Sequence, residues 1–320
     1  MKAVEAVLDA AGATVPRLME RVERRMAEVS VDHGAALARH AGETIAAGGK
    51  RLRPLLVCLA AGVPPPESEG LVHAGVAVEL VHAATLVHDD VLDASVLRRG
   101  RPTVVATGGR RMATATGDLL FSRAFSELAL AGSVEAVRVL SRASSELALG
   151  ELMQRSDAWE AGVTMGRYLD RCRLKTAVLF RAACELGALE GDGPTETLGT
   201  FGEQIGLAFQ LLDDVLDVSG PPERTGKPQG ADLLDGTITL PLIVARTHDE
   251  ELAALDVRDL RTTADAKAVC ERIAATGALE TARARALELV GRAKSILSQL
   301  PDRQRAALAL VADGVVERYS

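Results

Sequence analysis

The chain contains no asparagine, and aromatic residues make up only 2% of its 320 positions: one Trp, two Tyr and five Phe. Without Asn it has no N-glycosylation acceptor. With so few rings, its core must be filled by Ala, Leu and Val, which lie within a hydrophobic content of 48%. Alanine and leucine are strong helix formers, so this bias points to an all-α protein. Cysteine is also scarce. Cys58, Cys172, Cys184 and Cys270 show no CxxC spacing and no paired histidines, which excludes a zinc ribbon and leaves reduced structural thiols. A cytoplasmic protein is the expectation. Positive charge is in deficit, with 37 basic against 44 acidic residues and a net charge of −7, which weighs against a nucleic-acid partner. The opening MKAVEAVLDAAGATV is acidic within its first nine residues and has no signal-peptide core. No apolar run approaches the roughly 18 residues of a membrane span, so no integral membrane segment is expected.

What is present reads at helical period between short breaks. PRLMERVERRMAEV (16–29) alternates apolar and charged faces. Breaks fall at AGVPPPESEG (61–70), whose prolines cannot continue a helix, and at RRGRPT (98–103), TGGRR (107–111), GALEGDGPTE (187–196) and SGPPERTGKPQG (219–230). Apolar-periodic segments run over 71–93, 112–130, 134–157, 164–186 and 196–218. No strand alternation repeats and no composition shift marks a boundary. The expectation is one domain over 1–320, a bundle of about ten or more helices.

Inside these greasy segments the pentad DDVLD occurs twice, at 89–93 and at 213–217. Residues four apart share a helical face, so Asp89 and Asp93 point one way, as do Asp213 and Asp217. Like charges at this spacing destabilise a bare helix by roughly 0.2–0.5 kcal/mol per pair. A solvated face explains one such pentad in an ordinary helix; two, each flanked by LV or LL and followed by a basic turn, call for a ligand. Hard carboxylate oxygens in this arrangement suit Mg²⁺, which completes its shell with phosphate oxygens and water. Two facing clusters would form a magnesium-loaded phosphate site. GGKRLRP (48–54) carries Lys50, Arg51 and Arg53 on a glycine turn, with Pro54 placed to start a helix. Arg98, Arg99 and Arg101 follow the first pentad, and arginine forks match phosphate oxygens. His82 lies two turns before Asp89 on about the same face. GPPERTGKP (220–228) misses a P-loop in glycine spacing and has Pro228 where a metal-binding hydroxyl belongs.

Taken together, GGKRLRP, ELVHAATLVHDDVLD (79–93), RRGRPT, GD (117–118), KTA (175–177), FQLLDDVLD (209–217) and GKPQGADLLDGTITLP (226–241) resemble, in order, the trans-isoprenyl diphosphate synthases, the polyprenyl synthetase family. The resemblance implies an all-α bundle around a central cavity, a homodimer, and Mg²⁺-dependent condensation of isopentenyl diphosphate with an allylic diphosphate. It implies that Asp89, Asp93 and Asp213 ligate magnesium, supported by Asp90, Asp214 and Asp217. Lys50, Arg53, His82 and Arg99 would hold isopentenyl diphosphate. Arg98, Lys175 and Lys227 would contact the allylic diphosphate, with Thr176 and Gln210 at the reacting carbons. Thr237 stands where the family commonly has a lysine.

The resemblance also bears on product length, because bulky residues four and five positions before the first aspartate act in this family as a floor at farnesyl. Here Thr85 and Ala84 occupy those places, with Val81 and Ala77 behind them, a stretch of roughly 18 Å of small residues along the helix. Geranylgeranyl diphosphate or a longer product is expected; small residues that merely let helices pack closely are the plainer explanation. A farnesyl diphosphate synthase, a class I terpene cyclase and a non-catalytic partner subunit are the alternatives. The cyclases carry a different second metal motif and lack GGKRLRP, and a silent subunit should have lost an aspartate motif or the basic loop.

Overall fold

A computed structural model of the chain describes residues 2–31, 35–46, 49, 51–63, 65–98, 100–221 and 228–317. Lys50, Arg99 and Lys227 lie outside the described residues. Among the described residues are sixteen α-helices, and the only strands form one hairpin with two residues in each strand. The all-α expectation is met. Packing divides the chain into two units, each discontinuous in sequence.

The first unit comprises residues 1–144, 179–202 and 297–310. It holds α1 (Lys2–Ala11), α2 (Thr14–Val31), α3 (Ala35–Ala46), α4 (Leu52–Ala60) and α5 (Glu69–Leu92). The hairpin β1 (Leu97–Arg98) and β2 (Arg101–Pro102) and then α6 (Val104–Leu130) follow. On α2 the buried residues Val15, Leu18, Val22, Met26 and Val29 recur every three or four positions, the stripe an amphipathic helix presents to a core. Helix α5 starts at Ser68, whose Oγ accepts the Leu71 N–H at 3.0 Å, and packs against α2, α4 and α6. It is long and apolar enough to cross a bilayer by length and composition, which the sequence reading did not foresee, but its apolar residues are mostly buried within this unit. At 107–111, where a break was expected, α6 instead continues through a kink at Gly109, whose φ of 77° is open to glycine. A buried carboxylate, Glu127, ties three helices together: Arg25 grips it with two nitrogens at 2.8 and 3.0 Å, and His73 Nδ1 lies 2.8 Å away.

The second unit comprises residues 145–178, 203–296 and 311–320. Helix α7 (Val134–Asp157) begins in the first unit, and α8 (Met165–Cys172) leads into a π-helical turn, Arg173–Ala177. The chain then returns to the first unit with α9 (Val178–Glu190), and α10 (Thr195–Ser219), which matches the periodic segment 196–218, begins there and ends in the second unit. Short helices α11 (Ala231–Leu234), α12 (Leu240–Ala245) and α13 (Glu250–Ala254) precede α14 (Thr263–Ala275) and α15 (Ala278–Ile296), while α16 (Asp302–Glu317) begins in the first unit and ends in the second. Helix α12 packs on α8, α14 and α15. A capping box of Thr262 and Asp265 starts α14.

In the first unit Gln304 is buried, and its Nε2 donates to the carbonyls of Leu59 and Ala60 at 2.9 and 3.1 Å, satisfying the C-terminal end of α4. Gln304→Leu takes that donor from the Ala60 carbonyl in an apolar place, while the Leu59 carbonyl keeps the Gly62 N–H at 3.2 Å. The expected loss is about 1–3 kcal/mol, read by urea unfolding; an unchanged midpoint would show that the Ala60 carbonyl finds another donor.

Candidate active site

The first pentad occupies the last turn of α5, and its members are not equivalent. Asp89 is half-buried and Asp93, the C-cap, is exposed, so both acidic groups of that face reach solvent. Asp90 points the other way and is only 5% exposed. Its Oδ1 accepts Arg98 Nε at 2.8 Å, and its carbonyl accepts the Ser95 N–H at 3.0 Å. Thr103 Oγ1 in turn donates to the Ser95 carbonyl at 2.6 Å while capping α6. The connection from α5 to α6 is thereby folded back onto the buried aspartate. Arg98, expected on a diphosphate, is in this structure the counter-ion of Asp90.

The basic loop before α4 divides its cations. Arg51 adopts a left-handed conformation, φ 46°, and turns inward, with Nε 2.6 Å from Glu23, Nη1 2.9 Å from Glu79 and Nη2 2.9 Å from the Ile45 carbonyl. Arg53 lies in the first turn of α4 with its guanidinium carbon 4.6 Å from the centroid of the Phe180 ring, a cation–π geometry. His82 is half-buried, and its carbonyl accepts Thr85 Oγ1 at 2.8 Å. On α5, Asp93, Asp89, Leu86, Thr85 and His82 keep some exposure. Ala84, Val81 and Ala77 have none. Three of the four positions expected to line an open wall are therefore closed by helix packing, and only Thr85 stays accessible. The small side chains there let α5 approach its neighbours.

The second pentad lies on α10, in the second unit. Asp213 is exposed, and Asp217 is half-buried with Oδ2 accepting the Asp232 N–H at 3.3 Å. The inward member is Asp214, 4% exposed, which accepts Tyr168 Oη at 2.6 Å and Gln210 Nε2 at 2.8 Å. Burial, followed by the neighbouring Asp232 carboxylate, pushes Asp214 up to about 8 against those two hydrogen bonds. Thr176 Oγ1 donates to Gln210 Oε1 at 2.7 Å, so Thr176, Gln210, Asp214 and Tyr168 form one chain of hydrogen bonds. Lys175 and Thr176 project from the π-turn, a distortion that often marks functional positions. Its backbone lies so close to α7 that a Cβ at Gly150 would come within 2.6 Å of the Lys175 nitrogen. Lys175 Nζ is 2.6 Å from Glu151 Oε2, and Arg155 Nε is 2.7 Å from Glu151 Oε1.

Each pentad therefore keeps its first and fifth carboxylates toward solvent and anchors its second. Among the described residues, no three His, Cys, Asp or Glu side chains are gathered into a ready cation cage. This donor set fits Mg²⁺, which takes one or two carboxylates and draws its remaining oxygens from phosphate and water.

Comparison with known proteins identifies the family. A family model described as polyprenyl synthetase matches residues 35–274. The chain belongs to the polyprenyl synthetase family. It is 39% identical over 284 residues to the heptaprenyl diphosphate synthase component 2 of Geobacillus stearothermophilus, covering 88% of this chain and 89% of the relative. It is 36% identical to the octaprenyl diphosphate synthase of Escherichia coli (strain K12) over 282 residues, covering 86% of this chain and 87% of that one. The crystal structure of a polyprenyl synthase from Caulobacter crescentus CB15, complexed with calcium and isoprenyl diphosphate, superposes with a TM-score of 0.91 at 36% identity, covering 98% of each chain. This polyprenyl synthetase is an enzyme, a prenyl-transferring diphosphate synthase with the all-α fold of its relatives.

Sequence reasoning missed Tyr168, Glu151, Glu79 and Phe180. Tyr168, Glu79 and Phe180 are distant in sequence from the groups they hold, and Glu151 joins Lys175, 24 residues on, to Arg155 one turn away. Glu151 also supplies a test. Burial works to raise its carboxyl, but Lys175 and Arg155 hold it below the ordinary glutamate range. A depressed acid stabilises the fold above its unfolded value, near about 4.3, and that share is lost as pH falls through the folded value. Lys175→Met should therefore destabilise the protein by about 1–3 kcal/mol at pH 7. By pH 3 the difference from wild type should shrink, as read by urea unfolding at both pH values; a pH-independent difference would exclude the ion pair as its cause.

Proposed function

We propose that this polyprenyl synthetase condenses isopentenyl diphosphate with an allylic diphosphate, head to tail and in trans geometry, in a magnesium-dependent reaction that yields geranylgeranyl diphosphate or a longer product. The observation that carries this reading is the doubled pentad, each copy with an inward carboxylate locked and its outer carboxylates toward solvent. Asp89, Asp93 and Asp213 hold the metal, and Asp90, Asp214 and Asp217 stiffen their helices. Magnesium, when bound, supplies the positive charge that stabilises diphosphate as it departs. Lys175, Arg98 and Lys227 add charge at the allylic diphosphate, while Lys50, Arg53, His82 and Arg99 hold isopentenyl diphosphate. The allylic C–O bond breaks, and the double bond of the bound isopentenyl group, held close and oriented, forms the new C–C bond. The proton released from the adjacent carbon passes to the departing diphosphate. Thr176 and Gln210, already fixed to each other, keep the surroundings of the reacting carbons ordered. Thr237 leaves this site one cation short of the common family pattern; Lys175 and Lys227 remain.

We place the enzyme in the cytoplasm, a reading supported by four buried free cysteines, and propose a homodimer. A second reading is favoured by one relative, which is named as a component of heptaprenyl diphosphate synthase: this chain would then turn over only with another subunit. Product formation by the purified chain alone separates the two readings.

Asp89→Ala and Asp213→Ala should each lower kcat by about 10²- to 10³-fold or more, with the helical circular dichroism retained; full activity in either variant, or in excess chelator, would overturn the metal reading. Product length is checked by mass spectrometry, and wild type making only farnesyl diphosphate would refute the longer product. Because Ala84 is closed in packing, Ala84→Phe would overpack α5 and destabilise it by roughly 1–3 kcal/mol. Thr85→Phe is the informative change: a ring at this accessible position should shorten the product while turnover persists.

A further inference from the structure

His88, Gly117 and Asp118 take no part in the reaction as proposed, yet the first unit joins them. His88 immediately precedes Asp89, so it leaves α5 about 100° around the helix from the exposed acidic face. Its Nε2 lies 3.2 Å from Asp118 Oδ1 on α6. Its ring stacks on Phe121 with centroids 5.8 Å apart and planes 21° from parallel. Gly117, one residue before Asp118, is buried beneath the same ring, and a Cβ there would overlap it. The ring is therefore held on three sides by one turn of α6: below by a missing side chain, at its nitrogen by a carboxylate, and along its face by another ring.

We propose that His88 is a positioning residue for the first pentad, and that Gly117, Asp118 and Phe121 form its seat. The proposal rests on the reading that Asp89 and Asp93 hold magnesium diphosphate. An ion pair as exposed as this one contributes little to stability, since the Asp118 side chain is 69% and the His88 side chain 29% exposed. A residue serving only to pack against Phe121 would need no ring nitrogen and no acid opposite it. The Asp118 contact instead sets the orientation of the imidazole, and through it the rotation of the α5 turn that carries Asp89 and Asp93. Groups one step behind metal-binding carboxylates act in this way, and losing one weakens metal-dependent binding by about 10- to 100-fold.

The test titrates the full-length protein with inorganic diphosphate in a calorimeter, with and without Mg²⁺, alongside thermal unfolding. Asp118→Ala and His88→Ala should weaken the Mg²⁺-dependent binding by about 10- to 100-fold, leave the metal-free binding and Tm near wild type, and show no further loss when combined. Asp118→Asn, which keeps an acceptor for the imidazole N–H, should restore wild-type binding. Gly117→Ala, which pushes the ring from its seat, should behave as His88→Ala does. Should His88→Ala not fold, Asp118→Ala carries the same comparison. Wild-type Mg²⁺-dependent binding in the Asp118 and His88 variants, where Asp89→Ala has lost it, would overturn the positioning role alone. Wild-type binding in Asp89→Ala as well would overturn the magnesium reading, and the positioning role with it.

Discussion

A carboxylate placed inside an apolar helix must find a donor or give up its charge, and each DDVLD places one there. The two copies solve the problem differently although their five residues are identical. Asp90 is met by the guanidinium of Arg98, returned to it by the hairpin. Asp214 is met by the neutral donors Tyr168 and Gln210, and burial together with the nearby Asp232 pushes it up. In both cases the bond from the inward aspartate fixes the helical turn, and that turn aims the outer aspartates. The loop after α5, the cap of α6, the packing of α8 and the hydrogen bonds of Gln210 and Thr176 can all be traced to these two buried groups.

Among the described residues, several cations of the basic clusters are committed before any substrate arrives. Arg51 serves Glu23 and Glu79, Lys175 and Arg155 share Glu151, and Arg98 serves Asp90. Binding a diphosphate at Lys175 or Arg98 is then an exchange of one anion for another, and its strength is a difference between two charge-assisted interactions. Such a site stays folded when empty, and it favours an anion bearing more than one charge over a lone carboxylate.

The architecture was legible where one physical rule dominated. Helical period marked 134–157 and 196–218, which appear as α7 and α10 almost residue for residue, and the shortage of aromatics pointed to an all-α core. The rule failed at 107–111, where two glycines and two arginines look like a loop but helix packing carries the chain through a kink at Gly109. At the site, spacing alone could show which aspartates share a face, but it could not show that Asp90 and Asp214 turn inward, since that depends on Arg98 and Tyr168, 8 and 46 residues away. The small residues before Asp89 were visible, but their meaning was not. Ala77, Val81 and Ala84 are closed by packing, and only Thr85 keeps exposure. Arg51 looked like its basic neighbours in sequence, yet its left-handed backbone turns it to a structural task.

The π-turn at Arg173–Ala177 amounts to one residue more than an α-helix would use over the same length. Removing any single residue from it would let the helix heal into regular geometry, with no loss of hydrogen bonds. The repair would leave the residues after it facing much as they do now, with Phe180, Ala183 and Cys184 of α9 still buried, and would change only the turn that carries Lys175 and Thr176. Substitutions within these five residues can be absorbed side chain by side chain. A deletion there would be absorbed by the backbone instead, and its cost would fall on the placement of Lys175 against Glu151 and of Thr176 against Gln210 rather than on the packing of the helix.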